Sequence, residues 1–270
     1  MLAFLRLRAI AGVERVTEID YARTIVVDGV QGTVHVRPAS GNALRATICF
    51  PKVSAVSAII ARLRRLFDLA ADPVAIGAHL AQDPILAPLV AARPGLRAPG
   101  CWDGFELAIR AVLGQQITVV AAIRLAGRLV AAHGASMEAP DGDLTHVFPP
   151  PEALAAADLA SLGMPRSRAA ALNAVAAAAV ADPDLFSATQ GLDDALRKLR
   201  AIRGVGEWTV QYIALRQLRD PDAFPAADIG LMRALTDEQG RRQDARQLLA
   251  LAERWRPWRA YAAQHLWSLI

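Results

Sequence analysis

Gly204 and Gly206 bracket one apolar residue, between a helix-like run ending at Leu199 and another starting near Glu207. Glycines at this spacing permit a tight turn with positive φ and close approach of another backbone. The helix that follows opens on a glycine-lined turn with unpaired amide N–H groups and a positive dipole end, which suits a phosphate. A plain turn between two antiparallel helices accounts for the same glycines. Trp208 and Tyr212, four residues apart, share one face of that helix. Downstream, Asp228 directly precedes another helical run, where aspartate is a favoured N-cap. Capping and chemistry are compatible there, because a helix N-terminus favours a negative charge and Pro225 stiffens the approach. None of the five histidines forms a metal-ligand pair at helical or finger spacing. Two cysteines, Cys49 and Cys101, cannot build a disulfide framework or a four-cysteine metal or iron–sulfur site.

The frame for these residues is bounded by composition. A chain of 270 residues predicts two or three domains. With 54% hydrophobic and 21% charged residues it reads as a compact globule and not as a disordered protein. The net charge is +4, and lysine occurs only at Lys52 and Lys198, so the basic residues are nearly all arginine. That balance is compatible with a polyanionic partner, and equally with an arginine-rich genome. The alanine-rich stretch 169–181 is too short to span a membrane and contains Asn173. Arg6 and Arg8 break the apolar start, which argues against a signal peptide. A reducing cytoplasm is the expected setting.

Taken in order, residues 1–82 read as an α+β domain. A short amphipathic segment at 2–10 leads to a β-branched strand at 21–27, an alternating strand from Gly32, and a strand with Leu44, Ala46, Ile48 and Phe50 on one face. A helix over 53–69 with a basic face of Arg62, Arg64 and Arg65 covers one side of this small antiparallel sheet. Residues 83–102, rich in Pro and Gly, read as a linker that joins the second helical lobe. Residues 103–220 read as almost wholly helical, with a loop around Pro140 to Pro151 and a helix-hairpin-helix at about 196–218. Residues 221–270 form a C-terminal helical lobe carrying Asp228 and three tryptophans, Trp255, Trp258 and Trp267. The fold class expected is α+β, with the sheet domain followed by two all-helical lobes.

The pattern Leu199-x-x-Ile202-x-Gly204-Val205-Gly206-x-Trp208-Thr209, followed by Asp228, resembles the helix-hairpin-helix DNA glycosylases. Within them it is most similar to the 3-methyladenine DNA glycosylase II family. The likeness runs through Tyr21-Ala-Arg, Arg65-Leu-Phe-Asp-Leu, Arg93-Pro-Gly-Leu-Arg, Leu113-Gly-Gln-Gln and Arg254-Trp-Arg-Pro-Trp-Arg. The resemblance implies a site in a cleft between the helical lobes, with Asp228 stabilising an oxocarbenium-like sugar and orienting or activating water. A single carboxylate suits bases that are already cationic and leave without a general acid. Bifunctional relatives carry a lysine where this chain has Trp208, and Lys198 lies out of register before the turn, so no lyase activity is expected.

The same resemblance makes Trp208, Tyr212 and Trp267 an aromatic pocket for a flipped cationic base, worth about 1–2 kcal/mol per desolvated cation–π contact. Trp255 and Trp258 are assigned to the core. Gln116, by itself a polar loop residue, takes the place of the side chain that fills the gap in the duplex. The amides of Gly204, Gly206 and Thr209 would hold a DNA phosphate. The carbonyls of Arg200, Ile202 and Val205 would hold a structural sodium or potassium ion, with no cofactor required. The implied activity is base excision repair of 3-methyladenine and 7-methylguanine in double-stranded DNA, by a monomer in the cytoplasm at the nucleoid, with no membrane partner. Relatives place a further strand before this start, and some are fused to an alkyl-transfer regulatory domain. Two alternatives stay open: an oxidised-purine glycosylase of the same superfamily, and a non-catalytic helix-hairpin-helix DNA-binding protein.

Overall fold

A computed structural model describes residues 1–187, 189, 191–236 and 239–269 of the chain. Helix α1 (Leu2–Arg6) precedes strands β1 (Glu14–Val16), β2 (Tyr21–Val27), β3 (Val30–Ala39) and β4 (Ala43–Cys49). Helices α2 (Val56–Leu66), α3 (Pro73–Leu80), α4 (Ala87–Ala92), α5 (Gly104–Leu113) and α6 (Val119–His133) follow. After strands β5 (Ser136–Asp141) and β6 (Leu144–His146) come α7 (Pro151–Ala155), α8 (Arg166–Ala181) and α9 (Leu192–Arg200). The chain then forms α10 (Glu207–Ile213), α11 (Ile229–Ala234), α12 (Ala245–Ala252) and α13 (Arg259–Trp267). The α+β class with an N-terminal antiparallel sheet is as the sequence predicts.

The chain divides into two compact units, each assembled from separated stretches. The first comprises Met1–Arg62, Ala108–Pro183 and Ile202–Gly204. Its sheet runs β1-β2-β3-β4, antiparallel throughout, with Tyr21 opposite Val36 and Val34 opposite Ile48. Five consecutive residues of β2, Tyr21 to Ile25, are buried, so both faces of this strand are covered, where the sequence predicts a sheet covered on one side. The β5–β6 hairpin lies beside it. Thr24 Oγ1 donates to the His146 carbonyl at 2.9 Å, and the N–H groups of Thr145 and His146 reach the Gly12 carbonyl at 2.8 and 3.0 Å. Sequence reading expects a loop here, because Pro140 and Asp141-Gly142 act as breakers. The pair forms because Gly142, at φ +61°, makes its turn. Buried Arg23 faces Glu14 at 3.9 Å, and the same carboxylate accepts from Tyr21 and Arg110, which satisfies the buried charge.

The second unit comprises Leu63–Leu107, Asp184–Ala201 and Val205–Ile270. Leu63, Phe67, Leu80, Val210, Leu248 and Trp255 belong to its buried core. Residues 83–102 contain α4 and are fixed by specific contacts. Asp68, itself at φ +55°, accepts the Ala98 N–H at 3.0 Å and the Tyr261 hydroxyl at 3.1 and 3.2 Å, and pairs with Arg219. A Cβ on Gly100 would stand 2.4 Å from the Arg65 carbonyl oxygen, so this glycine serves close packing and not slack.

Candidate active site

Helix α10 starts from the glycine turn, with Gly206 as its N-cap in extended conformation (φ −88°, ψ 172°). It continues into a π-helical turn at Ala214–Leu218, a local widening common at functional sites. Trp208 and Tyr212 of α10 stack, with centroids 5.2 Å apart and planes at 14°. Trp267 of α13 meets Tyr212 edge-on at 6.3 Å and 71°. The three aromatics singled out in the sequence therefore form one cluster within the second unit, each half-buried.

Asp228 joins that cluster. It caps α11 by accepting the Leu231 N–H on Oδ1 at 3.0 Å, and its own N–H donates to the Pro225 carbonyl at 2.9 Å. Trp267 Nε1 donates to the same Oδ1 at 2.9 Å, and Trp208 Nε1 donates to Oδ2 at 2.7 Å. A carboxylate offers about four acceptor positions. Among the described residues Oδ1 takes two bonds and Oδ2 one, so Oδ2 retains capacity for a water or a developing positive charge. The carboxylate is thus a cap and a member of the aromatic cluster at once. Trp255 is fully buried against Phe224 at 5.8 Å, as a core residue should be, whereas Trp258, which packs on Tyr261 at 5.9 Å, is only half-buried and lies at the edge of the core expected for it.

The other predicted residues lie along the hairpin and in the first unit. Gly204 has φ +87°, and a Cβ there would fall 2.4 Å from Ala171 Cβ, so only glycine fits. Gln116 is exposed in the α5–α6 loop at φ +58°. Its neighbour Gln115 donates from Nε2 to the Gly204 carbonyl at 3.0 Å, which ties the two loops together within this unit. Thr209 and Val205 are buried. Arg200 pairs with Glu207 at 2.9 and 3.0 Å, and this hydrogen bond holds the Glu207 carboxyl below its usual range. Among the described residues no group of His, Cys, Asp and Glu is placed to hold a metal ion.

A family model for the AlkA N-terminal domain matches residues 1–103, and one described as HhH-GPD superfamily base excision DNA repair protein matches residues 109–260. The chain belongs to the HhH-GPD superfamily. It is 41% identical, over 97% of its length, to a Mycobacterium tuberculosis protein named "Probable bifunctional transcriptional activator/DNA repair enzyme AlkA". It covers 52% of that relative, and so spans about half the length of the mycobacterial proteins it matches. It is 35% identical to the Escherichia coli protein named "DNA-3-methyladenine glycosylase 2", over 99% of this chain and 92% of that one. The solved 3-methyladenine DNA-glycosylase from Archaeoglobus fulgidus shares the fold, with TM-score 0.85 at 24% identity over 98% of this chain and 92% of that one.

The cluster has one further member that the sequence does not single out. Arg216 is 2% exposed, and its Cζ lies 5.4 Å from the Tyr212 ring centroid and 5.3 Å from that of Trp267. Its Nη1 donates to the Pro99 carbonyl at 2.8 Å, which fixes the guanidinium against the two rings. The signal was its place four residues after Tyr212. Lys198 lies on α9, before the turn, beside Asp194 at 3.9 Å. No described helix is long and apolar enough to cross a membrane.

Proposed function

We propose that this chain is a monofunctional DNA glycosylase that hydrolyses the N-glycosidic bond of alkylated purines, such as 3-methyladenine and 7-methylguanine, in duplex DNA. The observation that carries this reading is the Asp228 carboxylate, bonded to two indole N–H groups in the cluster of Trp208, Tyr212 and Trp267. An electron-rich aromatic wall attracts a cationic methylated purine by stacking and cation–π interaction. Such a base departs with the bonding electron pair and becomes neutral, so no general acid is needed. The sugar is left as an oxocarbenium-like cation, which the Asp228 charge stabilises. Water then adds to the anomeric carbon and gives up its proton to Asp228 or to solvent, leaving an abasic site. Trp208 cannot form a Schiff base, so the strand is not cut.

The target base must leave the stack, at a cost of a few kcal/mol that is least for damaged pairs. Gln116, exposed and conformationally fixed, fills the gap, and the amides of Gly204 and Gly206, both exposed, hold a backbone phosphate at the hairpin, while Thr209, expected to share that role, is buried. A sodium or potassium ion there would take the carbonyl oxygens of Arg200, Ile202 and Val205. These donors are hard oxygens, and the nearby Arg200 guanidinium is turned onto Glu207 and neutralised by it. The ion would stiffen the turn, and no reaction step passes through it. In this reading the protein requires no cofactor and works as a cytoplasmic monomer at the nucleoid.

Release of labelled bases from methylated duplex DNA by wild type and Asp228→Asn tests the reading. The two indoles reach two different oxygens, one of which becomes an NH2 donor in asparagine and faces an indole N–H, and the neutral amide cannot offset the sugar cation. Release should fall at least about a hundredfold with DNA binding retained, and wild type should leave strands uncut. Salt-sensitive binding without base release by wild type would sink the proposal.

A further inference from the structure

The first unit over-determines the placement of Gln116. A non-glycine residue keeps a φ of +58° only where its surroundings impose it. The peptide that sets this angle begins with the Gln115 carbonyl, and Arg168, in the first turn of α8, donates to that oxygen from Nη2 at 2.5 Å. The Gln115 side chain donates in turn to the Gly204 carbonyl at 3.0 Å. Gly204 rests on Ala171, nearly one turn further along α8. One helix therefore grips the hairpin turn through Ala171 and the peptide before Gln116 through Arg168. Past Gln116, Thr118 accepts the Ala121 N–H at 3.2 Å and caps α6, so the loop is fixed on both sides.

We propose that Arg168 and Gln115 are positioning residues that hold the Gln116 side chain ready to enter the duplex, at a set distance from the phosphate contact at the hairpin turn. The inference rests on the reading of this chain as a base-flipping glycosylase. A wedge fixed before binding loses less conformational freedom on insertion than a mobile one. Without the Arg168 bond, the peptide is free to rotate, Gln116 relaxes to an ordinary φ, and its side chain leaves the line of entry.

The test uses the full chain as wild type, Arg168→Ala, Arg168→Lys and Gln115→Glu. One probe is a duplex carrying 2-aminopurine beside a tetrahydrofuran abasic analogue, whose fluorescence reports insertion without chemistry. The second probe is single-turnover release of methylated purines from duplex and from single-stranded DNA. Arg168→Ala should lose most of the fluorescence change and slow duplex release about tenfold, the scale of one charge-assisted hydrogen bond. Release from single strands, where no gap is filled, should stay within about twofold. Arg168→Lys, which keeps one donor, should recover most of both signals. Equal slowing on duplex and single strands, or a wild-type fluorescence response in Arg168→Ala, overturns the proposal. If Arg168→Ala does not fold, Gln115→Glu decides: it removes the donor to Gly204 and should reproduce the duplex-only defect, and wild-type duplex release overturns the idea. If no form releases methylated bases, the glycosylase reading falls, and the dependence of the insertion signal on Arg168 still settles this inference either way.

Discussion

Trp208 and Trp267 reach Asp228 from two different helices, and each gives its indole N–H to a different carboxylate oxygen, at 2.7 and 2.9 Å. The walls proposed to hold a base and the group proposed to act on its sugar are thereby one hydrogen-bonded piece. Trp208→Phe keeps the stacking on Tyr212 but removes the donor to Oδ2. Turnover should drop about tenfold, as expected for a hydrogen bond to a charged group, with a smaller change in KM. Single-turnover base release with Trp208→Phe, Trp267→Phe and the double variant checks this. The two losses should not add, because both donors position the same carboxylate. Full activity in Trp208→Phe would show that stacking alone places the site.

Gly204→Ala tests the seat of the hairpin. The new Cβ meets Ala171 Cβ at 2.4 Å in a residue held at φ +87°. Overpacking costs about 1–3 kcal/mol and the left-handed backbone about 1–2 kcal/mol more. Adding Ala171→Gly, which alone costs about 1 kcal/mol inside α8, should return part of the first cost beyond that and leave the second. Denaturant unfolding of the single and double variants separates the two, and an unchanged midpoint in Gly204→Ala would contradict the close approach.

Much of the site was legible because its signals are local. Gly204 and Gly206 mark a turn by their lack of Cβ, Asp228 marks a helix start by capping, and Trp208 and Tyr212 declare a shared face by spacing. What stayed hidden depends on distant partners. The strands at Ser136–Asp141 and Leu144–His146 lie beside strands about a hundred residues earlier in the chain, and locally only their breakers, Pro140 and Asp141-Gly142, are visible. Arg216 carries no mark in the sequence because arginine is ordinarily a surface residue, and its burial is supported by distant groups that include Tyr212, Trp267 and the Pro99 carbonyl. Arg168 and Gln115 act through backbone carbonyls, which leave no mark on the residue types around them.

The two cysteines should differ sharply in reactivity. Burial pushes the Cys101 thiol up to about 12, and its S–H donates to Gln217 Oε1 at 3.0 Å. Cys49 is exposed on β4. A disulfide reagent at pH 8 should titrate one thiol in the native protein and a second only after unfolding. Rapid modification of one thiol in native Cys101→Ser, as in native wild type but with no second thiol on unfolding, would confirm Cys49 as the reactive group, whereas two fast native thiols in wild type would refute the burial argument.

His265 should set part of the acid sensitivity of the second unit. Burial chiefly, with Arg93 adding repulsion and a bond to the Leu89 carbonyl pulling the other way, brings its pKa down to about 4. Its Nδ1 is buried without a hydrogen-bond partner among the described residues, so protonation there would strand a charged N–H. The unfolded chain takes up that proton near pH 6.5. Between pH 6.5 and about 4 the unfolded state therefore binds more protons, and stability falls as pH falls through this window. His265→Gln carries no titrating group and should lose about 2 kcal/mol less than wild type between pH 7 and pH 4.5. Urea unfolding followed by tryptophan fluorescence at the two pH values measures the difference. Trp267, two residues along the same helix, should report the transition directly. Parallel losses in wild type and His265→Gln would mean that this ring is not what acid attacks first.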